Sequence, residues 1–147
     1  FAGTGSLGIE ALSRGAASAF FVEKELAAVA AIERNFVRTK VRGRVTRQDV
    51  FRFLSGARRD ERFDVIFADP PYDETPDGEH YTDLLLASSE LAAMLAPDGT
   101  FVLEKRPNEQ LPSAVLWNVT RTKKYGATEV LFLKGSGSVA RAPTNAG

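Results

Sequence analysis

Short apolar runs alternate with amphipathic stretches along the chain. Phe63-Asp64-Val65-Ile66-Phe67-Ala68 is the clearest buried strand, and Ala19-Phe20-Phe21-Val22 and Thr100 to Glu104 read the same way. Between such runs the apolar spacing widens to that of helices. Ser6 to Arg14 suits a helix stopped by Gly15. Glu25 to about Lys40 suits another, with Leu26, Val29, Ile32 and Phe36 on one stripe. Arg44 to Gln48 is a strand, Val50 to Leu54 opens a short helix, and Tyr81 to Leu95 is helical. Pro97-Asp98-Gly99 is a turn. Two β-rich runs, Val115 to Lys124 and Thr128 to Lys134, flank a Gly126-Ala127 hairpin turn. Strands alternating with helices predict an α/β fold with a mostly parallel sheet, here closed at one edge by an antiparallel C-terminal hairpin. One domain is expected over residues 1–134. Residues 135–147 have no apolar period and are expected to form a disordered tail.

Two turns carry candidate chemistry. Gly3-Thr4-Gly5-Ser6-Leu7-Gly8 has the spacing of a nucleotide-binding loop at a helix N-terminus. Glu23, 20 positions after Gly3 at the end of the next strand, is placed to accept hydrogen bonds from ribose hydroxyls. This spacing does not separate NAD from S-adenosylmethionine. Asp49 follows the next strand, where it is a candidate acceptor for an adenine amino group and, compatibly, the N-cap of the helix from Val50, the reading that spacing alone favours. Val50 or Phe51 is positioned to pack on an adenine ring.

The second turn is Asp69-Pro70-Pro71-Tyr72, directly after the clearest strand. An exocyclic amino nitrogen on a base is a poor nucleophile, because its lone pair is delocalised. Accepting hydrogen bonds from both of its N–H groups favours a pyramidal nitrogen with a directed lone pair. The Asp69 carboxylate and the Pro70 carbonyl supply two acceptors. Prolines stiffen the turn and bring no N–H, and Tyr72 can stack on a flat base. The alternative is an ordinary Pro-Pro turn with Asp69 as a surface carboxylate.

Composition narrows the chemistry by exclusion. With no cysteine, the chain cannot form the covalent adduct that methylation at a pyrimidine carbon ordinarily needs. With His80 as the only histidine, a zinc site is not expected. No run approaches the ~20 apolar residues of a membrane span. Nineteen basic and nineteen acidic residues give zero net charge, so a nucleic-acid surface must be local.

The blocks Phe1 to Ala16, Phe21-Val22-Glu23 and Phe63 to Tyr72 together resemble the RsmD-type 16S ribosomal RNA guanine-N2 methyltransferases. Val102-Leu103-Glu104-Lys105-Arg106-Pro107 and Lys124 to Val130 are also similar to that family. The resemblance covers about Phe1 to Lys134. It implies a Rossmann-like class I methyltransferase fold and a cytoplasmic enzyme that uses S-adenosylmethionine to methylate a guanine amino group in 16S ribosomal RNA or the small subunit. It implies cofactor contacts from Gly3, Thr4, Gly5, Gly8, Glu23, Asp49 and Val50. It implies base contacts from Asp69, Pro70 and Tyr72, on a nucleotide flipped into the pocket. Family members carry a strand and an extension before the position of Phe1. The chain is therefore expected to be an N-terminally truncated piece that lacks its central first strand.

Lys105 and Arg106 follow a strand whose C-terminal end should face the site, and they are the expected RNA-backbone contacts. The clusters Arg38 to Arg47 and Arg58 to Arg62 read as solvated faces. Three other readings compete. DNA or protein-glutamine amino-methyltransferases use the same Asp/Asn-Pro-Pro-Tyr logic. A dinucleotide-dependent oxidoreductase explains the glycine loop but gives Asp69 to Tyr72 no role. A binding module would keep the fold without catalysis.

Overall fold

The computed structural model describes residues 1–57, 60–71, 80–113 and 115–137. Its elements follow in the order α1 (Ser6–Ser13), β1 (Phe20–Glu23), α2 (Leu26–Thr39), β2 (Arg44–Arg47), α3 (Val50–Gly56) and β3 (Phe63–Ala68). Then come α4 (Tyr81–Ala87), α5 (Ser89–Met94), β4 (Leu95–Lys105), β5 (Trp117–Tyr125) and β6 (Thr128–Gly135). Among the described residues no helix is long and apolar enough to cross a membrane.

The strands form two sheets. β1 and β2 pair in parallel, with Phe21 opposite Val45. The second sheet has the order β3-β4-β6-β5. Its β3–β4 pair is parallel, and its other two pairs are antiparallel. The parallel strands and the antiparallel C-terminal hairpin appear as expected, and, in keeping with the expected lack of a central first strand, β1 and β3 are not hydrogen-bonded to each other. One edge of β3 stays unpaired, and Val65 and Phe67 on that strand are exposed. Gly126, at φ 58°, takes the first central position of the two-residue hairpin turn, where a positive φ is needed.

Each sheet has its own core. Phe101, Leu103, Leu131, Leu133 and Trp117 pack with α4 and α5 in the larger one. Ile9, Phe21 and Ile32 form the smaller one. Phe1 packs against the larger core and Ala2 against the smaller. The Trp117 indole N–H donates to the Leu86 carbonyl at 3.0 Å, so its one polar atom is satisfied inside the core.

Two expectations about helices change. Tyr81 to Leu95 is not one helix, because Ser88 takes an extended backbone and its hydroxyl accepts from Leu91 N at 3.1 Å. A serine that caps a new helix competes with continuation of the old one. Leu26 stands 62% exposed at the start of α2, so the buried stripe of that helix centres on Ile32.

Gly8 lies where α1 crosses β1, and a Cβ there would overlap the Phe21 ring. Gly8→Ala should therefore lose about 1–3 kcal/mol to overpacking, against about 1 kcal/mol gained in helix propensity. A lower urea midpoint is expected. Gly56→Ala, where an added Cβ meets open space, should leave the midpoint unchanged or raise it. Equal midpoints for the two variants would sink the close-contact account.

Candidate active site

The glycine loop and Glu23 meet directly. Gly3 N donates to Glu23 Oε2 at 2.8 Å, and Lys24 N and Glu25 N donate to Oε1 at 2.8 and 3.0 Å. Burial pushes the Glu23 pKa up, but these three N–H groups together hold it below the usual glutamate value. An ionised carboxylate has about four acceptor sites. Three are taken here, so a ribose hydroxyl would use the remaining one or displace a backbone donor. Gly5 is left-handed at φ 79° and caps α1, and the face of Gly3 is open, with no atom within 4 Å of an added Cβ. Asn35, which the sequence reading missed, donates from Nδ2 to the Thr4 carbonyl at 3.0 Å and braces the loop. Its spacing from Ile32, one helical turn away on α2, is the only signal that could have drawn attention to it.

Asp49 is the N-cap of α3. Its Oδ1 accepts from Phe51 N at 3.0 Å and Arg52 N at 3.1 Å, which leaves Oδ2 outside the cap. Val50 packs against the larger core. Phe51 stacks on Tyr81, with ring centroids 6.2 Å apart, and meets Phe1 edge-on.

Asp69 leaves the C-terminal end of β3. The backbone turns there into Pro70, which is buried, and Pro71, which is exposed. Partial desolvation raises the Asp69 pKa. Glu23, Asp49 and Asp69 all lie within electrostatic reach of the backbone at Phe1. Tyr72 lies outside the described residues. Pro70 and Pro71 line an open groove of about 290 Å³ together with Tyr81, Thr82, Arg106, Asn108 and Glu109.

A further carboxylate, Glu104, stands at the end of β4. The strands are in register up to Ala68 opposite Leu103, so Asp69 and Glu104 come next, side by side. Burial raises the Glu104 pKa, and the Asp69 charge raises it further.

Lys105 is a correction to the sequence reading. It is 2% exposed and does not face solvent. Its ammonium meets Glu129 Oε2 at 2.6 Å and donates to the carbonyls of Arg106 at 2.8 Å and Glu109 at 3.0 Å. All three of its protons are thus used inside the protein. The physical reason is strand alternation: Phe101, Leu103 and Lys105 share one face of β4, and that face is the core. Arg106 is exposed and lines the groove.

The Lys105 hydrogen bond holds the Glu129 pKa below the usual glutamate value. Such a group contributes stability above its unfolded pKa of about 4.3. That contribution is lost as pH falls through the lower folded value. Lys105→Met should cost on the order of 3 kcal/mol near pH 7, because Glu129 keeps only the more distant Lys124. The loss relative to wild type should shrink below about pH 4. Urea unfolding at pH 7 and pH 3.5 checks this, and an equal loss at both pH values would refute the ion-pair account.

The family described as Conserved hypothetical protein 95 matches residues 1–134. "Putative rRNA methyltransferase YlbH" of Bacillus subtilis is 37% identical over 141 residues, covering 93% of this chain and 74% of that protein. "Ribosomal RNA small subunit methyltransferase D" of Haemophilus influenzae is 30% identical over 131 residues, covering 86% of this chain but only 64% of the relative. Among solved structures, the 16S rRNA N2 G1207 methyltransferase RsmC of Thermus thermophilus, in complex with AdoMet and guanosine, superposes with a TM-score of 0.67. It is 26% identical, over 91% of this chain and 35% of that one. The chain therefore belongs to the Conserved hypothetical protein 95 family and has the Rossmann-like fold of class I methyltransferases.

Proposed function

We propose that this chain carries the methyl-transfer site of an S-adenosylmethionine-dependent enzyme that acts on the exocyclic N2 of a guanine in 16S ribosomal RNA, in the cytoplasm. The observation that carries this reading is Asp69, a partly desolvated carboxylate at the end of β3. It shares the neighbourhood of Phe1 with the glycine loop and Glu23 and stands beside a groove open to a base. The names of the relatives support the ribosomal substrate, and the guanosine in the RsmC complex supports the base.

The residues fit the cofactor. Gly3 presents open backbone, Gly5 turns the chain into α1 with its inner face packed on Ile32 and Phe21, Glu23 offers a remaining acceptor to a ribose, and Asp49 Oδ2 offers one to an adenine amino group. When bound, S-adenosylmethionine supplies an electrophilic methyl group, whose bond to sulfur breaks as the bond to N2 forms. The chain's own work is orientation and charge. Asp69 and the Pro70 carbonyl accept from the two N2–H groups and aim the lone pair. The Asp69 carboxylate stabilises the positive charge that develops on N2. It then stands within reach of the proton that N2 must release. Pro70 and Pro71 keep competing donors out of the turn. Tyr72 is the proposed stacking partner for the base.

Labelled methyl transfer to naked 16S RNA, small subunits and DNA, followed by nucleoside analysis, tests the reading. N2-methylguanosine from RNA or subunits is expected, and N6-methyladenine from DNA overturns it. Asp69→Asn should lower kcat by roughly 10²-fold or more while cofactor affinity is kept. Activity requires ionised Asp69, whose pKa is raised. It should therefore fail on the acid side through an apparent value above the ordinary aspartate pKa of about 3.9. An acid limb at or below that value would sink this assignment.

A further inference from the structure

Glu104 has no role in the chemistry above, yet it stands at the reacting end of the sheet. It is half-buried on the face of β4 opposite Phe101 and Leu103. Parallel neighbours in register lie about 4.8 Å apart and project to the same side. Asp69 and Glu104 follow the register pair Ala68 and Leu103. Among the described residues no hydrogen bond or ion pair engages the Glu104 carboxylate. Two adjacent, partly desolvated carboxylates of like charge repel each other, and a ligand that brings several N–H donors relieves both.

The Watson–Crick edge of guanine brings such donors. N1–H and the two N2–H groups lie side by side, whereas adenine offers a lone pair at N1. We propose that Glu104 is a specificity-determining residue that accepts the guanine N1–H while its neighbour Asp69 accepts from N2. This deepens the guanine-N2 reading and rests on it. The groove wall agrees with the placement: Pro70 follows Asp69 directly, Arg106 lies two residues past Glu104, and both line the same groove. The segments that follow the two strand ends therefore line one groove. A carboxylate facing N1 also discriminates by repulsion, since it rejects any purine that presents a lone pair at that position.

The test is equilibrium binding to the protein saturated with S-adenosylhomocysteine. The two probes are guanosine 5′-monophosphate and 2-aminopurine riboside 5′-monophosphate. The second keeps the 2-amino group but has a lone pair at N1. A hydrogen bond to a charged group is worth about 1.5–3 kcal/mol, so wild type should prefer the guanine nucleotide roughly 10-fold or more. Glu104→Gln is isosteric, and its amide can donate to a lone pair. The preference should fall at least about 10-fold, with 2-aminopurine binding gained as well as guanine binding lost. Retained S-adenosylhomocysteine affinity reports that the variant is folded. Equal binding of the two nucleotides by wild type overturns the proposal without any variant, as does an unchanged ratio in Glu104→Gln. Absence of methyl transfer to RNA by wild type would sink the proposed activity and leave the binding ratio to decide the role of Glu104.

Discussion

The alternation of side chains along β4 governs both the stability of the larger sheet and the character of its reacting end. Consecutive residues of a strand point to opposite faces. On one face Phe101 and Leu103 meet Leu133 and Leu131 of β6, and the row ends with Lys105 opposite Glu129. The core is thus capped by a charged pair rather than by another leucine. The ammonium also fixes the carbonyls of Arg106 and Glu109, which sets the turn that walls the groove. On the other face, Val102 and Glu104 lead toward Asp69. One strand therefore supplies a buried cation for architecture and a half-buried anion for chemistry, one residue apart.

The carboxylates of the site fall into two environments. Glu23 is held ionised by backbone donors, which suits a fixed acceptor. Asp69 and Glu104 are pushed the other way by desolvation, and Glu104 also by its neighbour. Groups whose environments drive their pKa values apart tend to carry different tasks. The division agrees with one carboxylate anchoring a sugar and two facing a base that must give up a proton.

Much of this was legible in the chain. The run Phe63 to Ala68, the glycine spacing and Glu23 are local signals: the run forms a strand, although only Ala68 of it is buried, and Gly3 meets Glu23 directly. The Asp49 cap was one of two readings, and the cap bonds are present on one oxygen while the other stays available. What escaped depends on faces and partners. Lys105 looks like a surface cation beside Arg106 until the parity of its strand is followed through Phe101 and Leu103. Glu104 gains meaning only from the register with β3, and register across a long crossover is not written in either strand alone. Ser88 divides a segment that hydropathy reads as continuous. Asn35 acts through a backbone carbonyl four residues into the chain, a contact with no sequence pattern of its own.

The division into two sheets has a consequence for motion. With no hydrogen bonds joining β1 to β3, the halves are held by side-chain packing and by the segment at Phe1 and Ala2. Cores of different size protect their amides to different degrees. The small unit has three buried apolar side chains and the large one twelve residues in its core. Amides of β1 and β2 should therefore exchange sooner than those of β4 and β6. Glu23 belongs to the first unit and Asp69 to the second. A ligand that touches both is therefore held by residues resting on two different cores, and its affinity reports the packing of each.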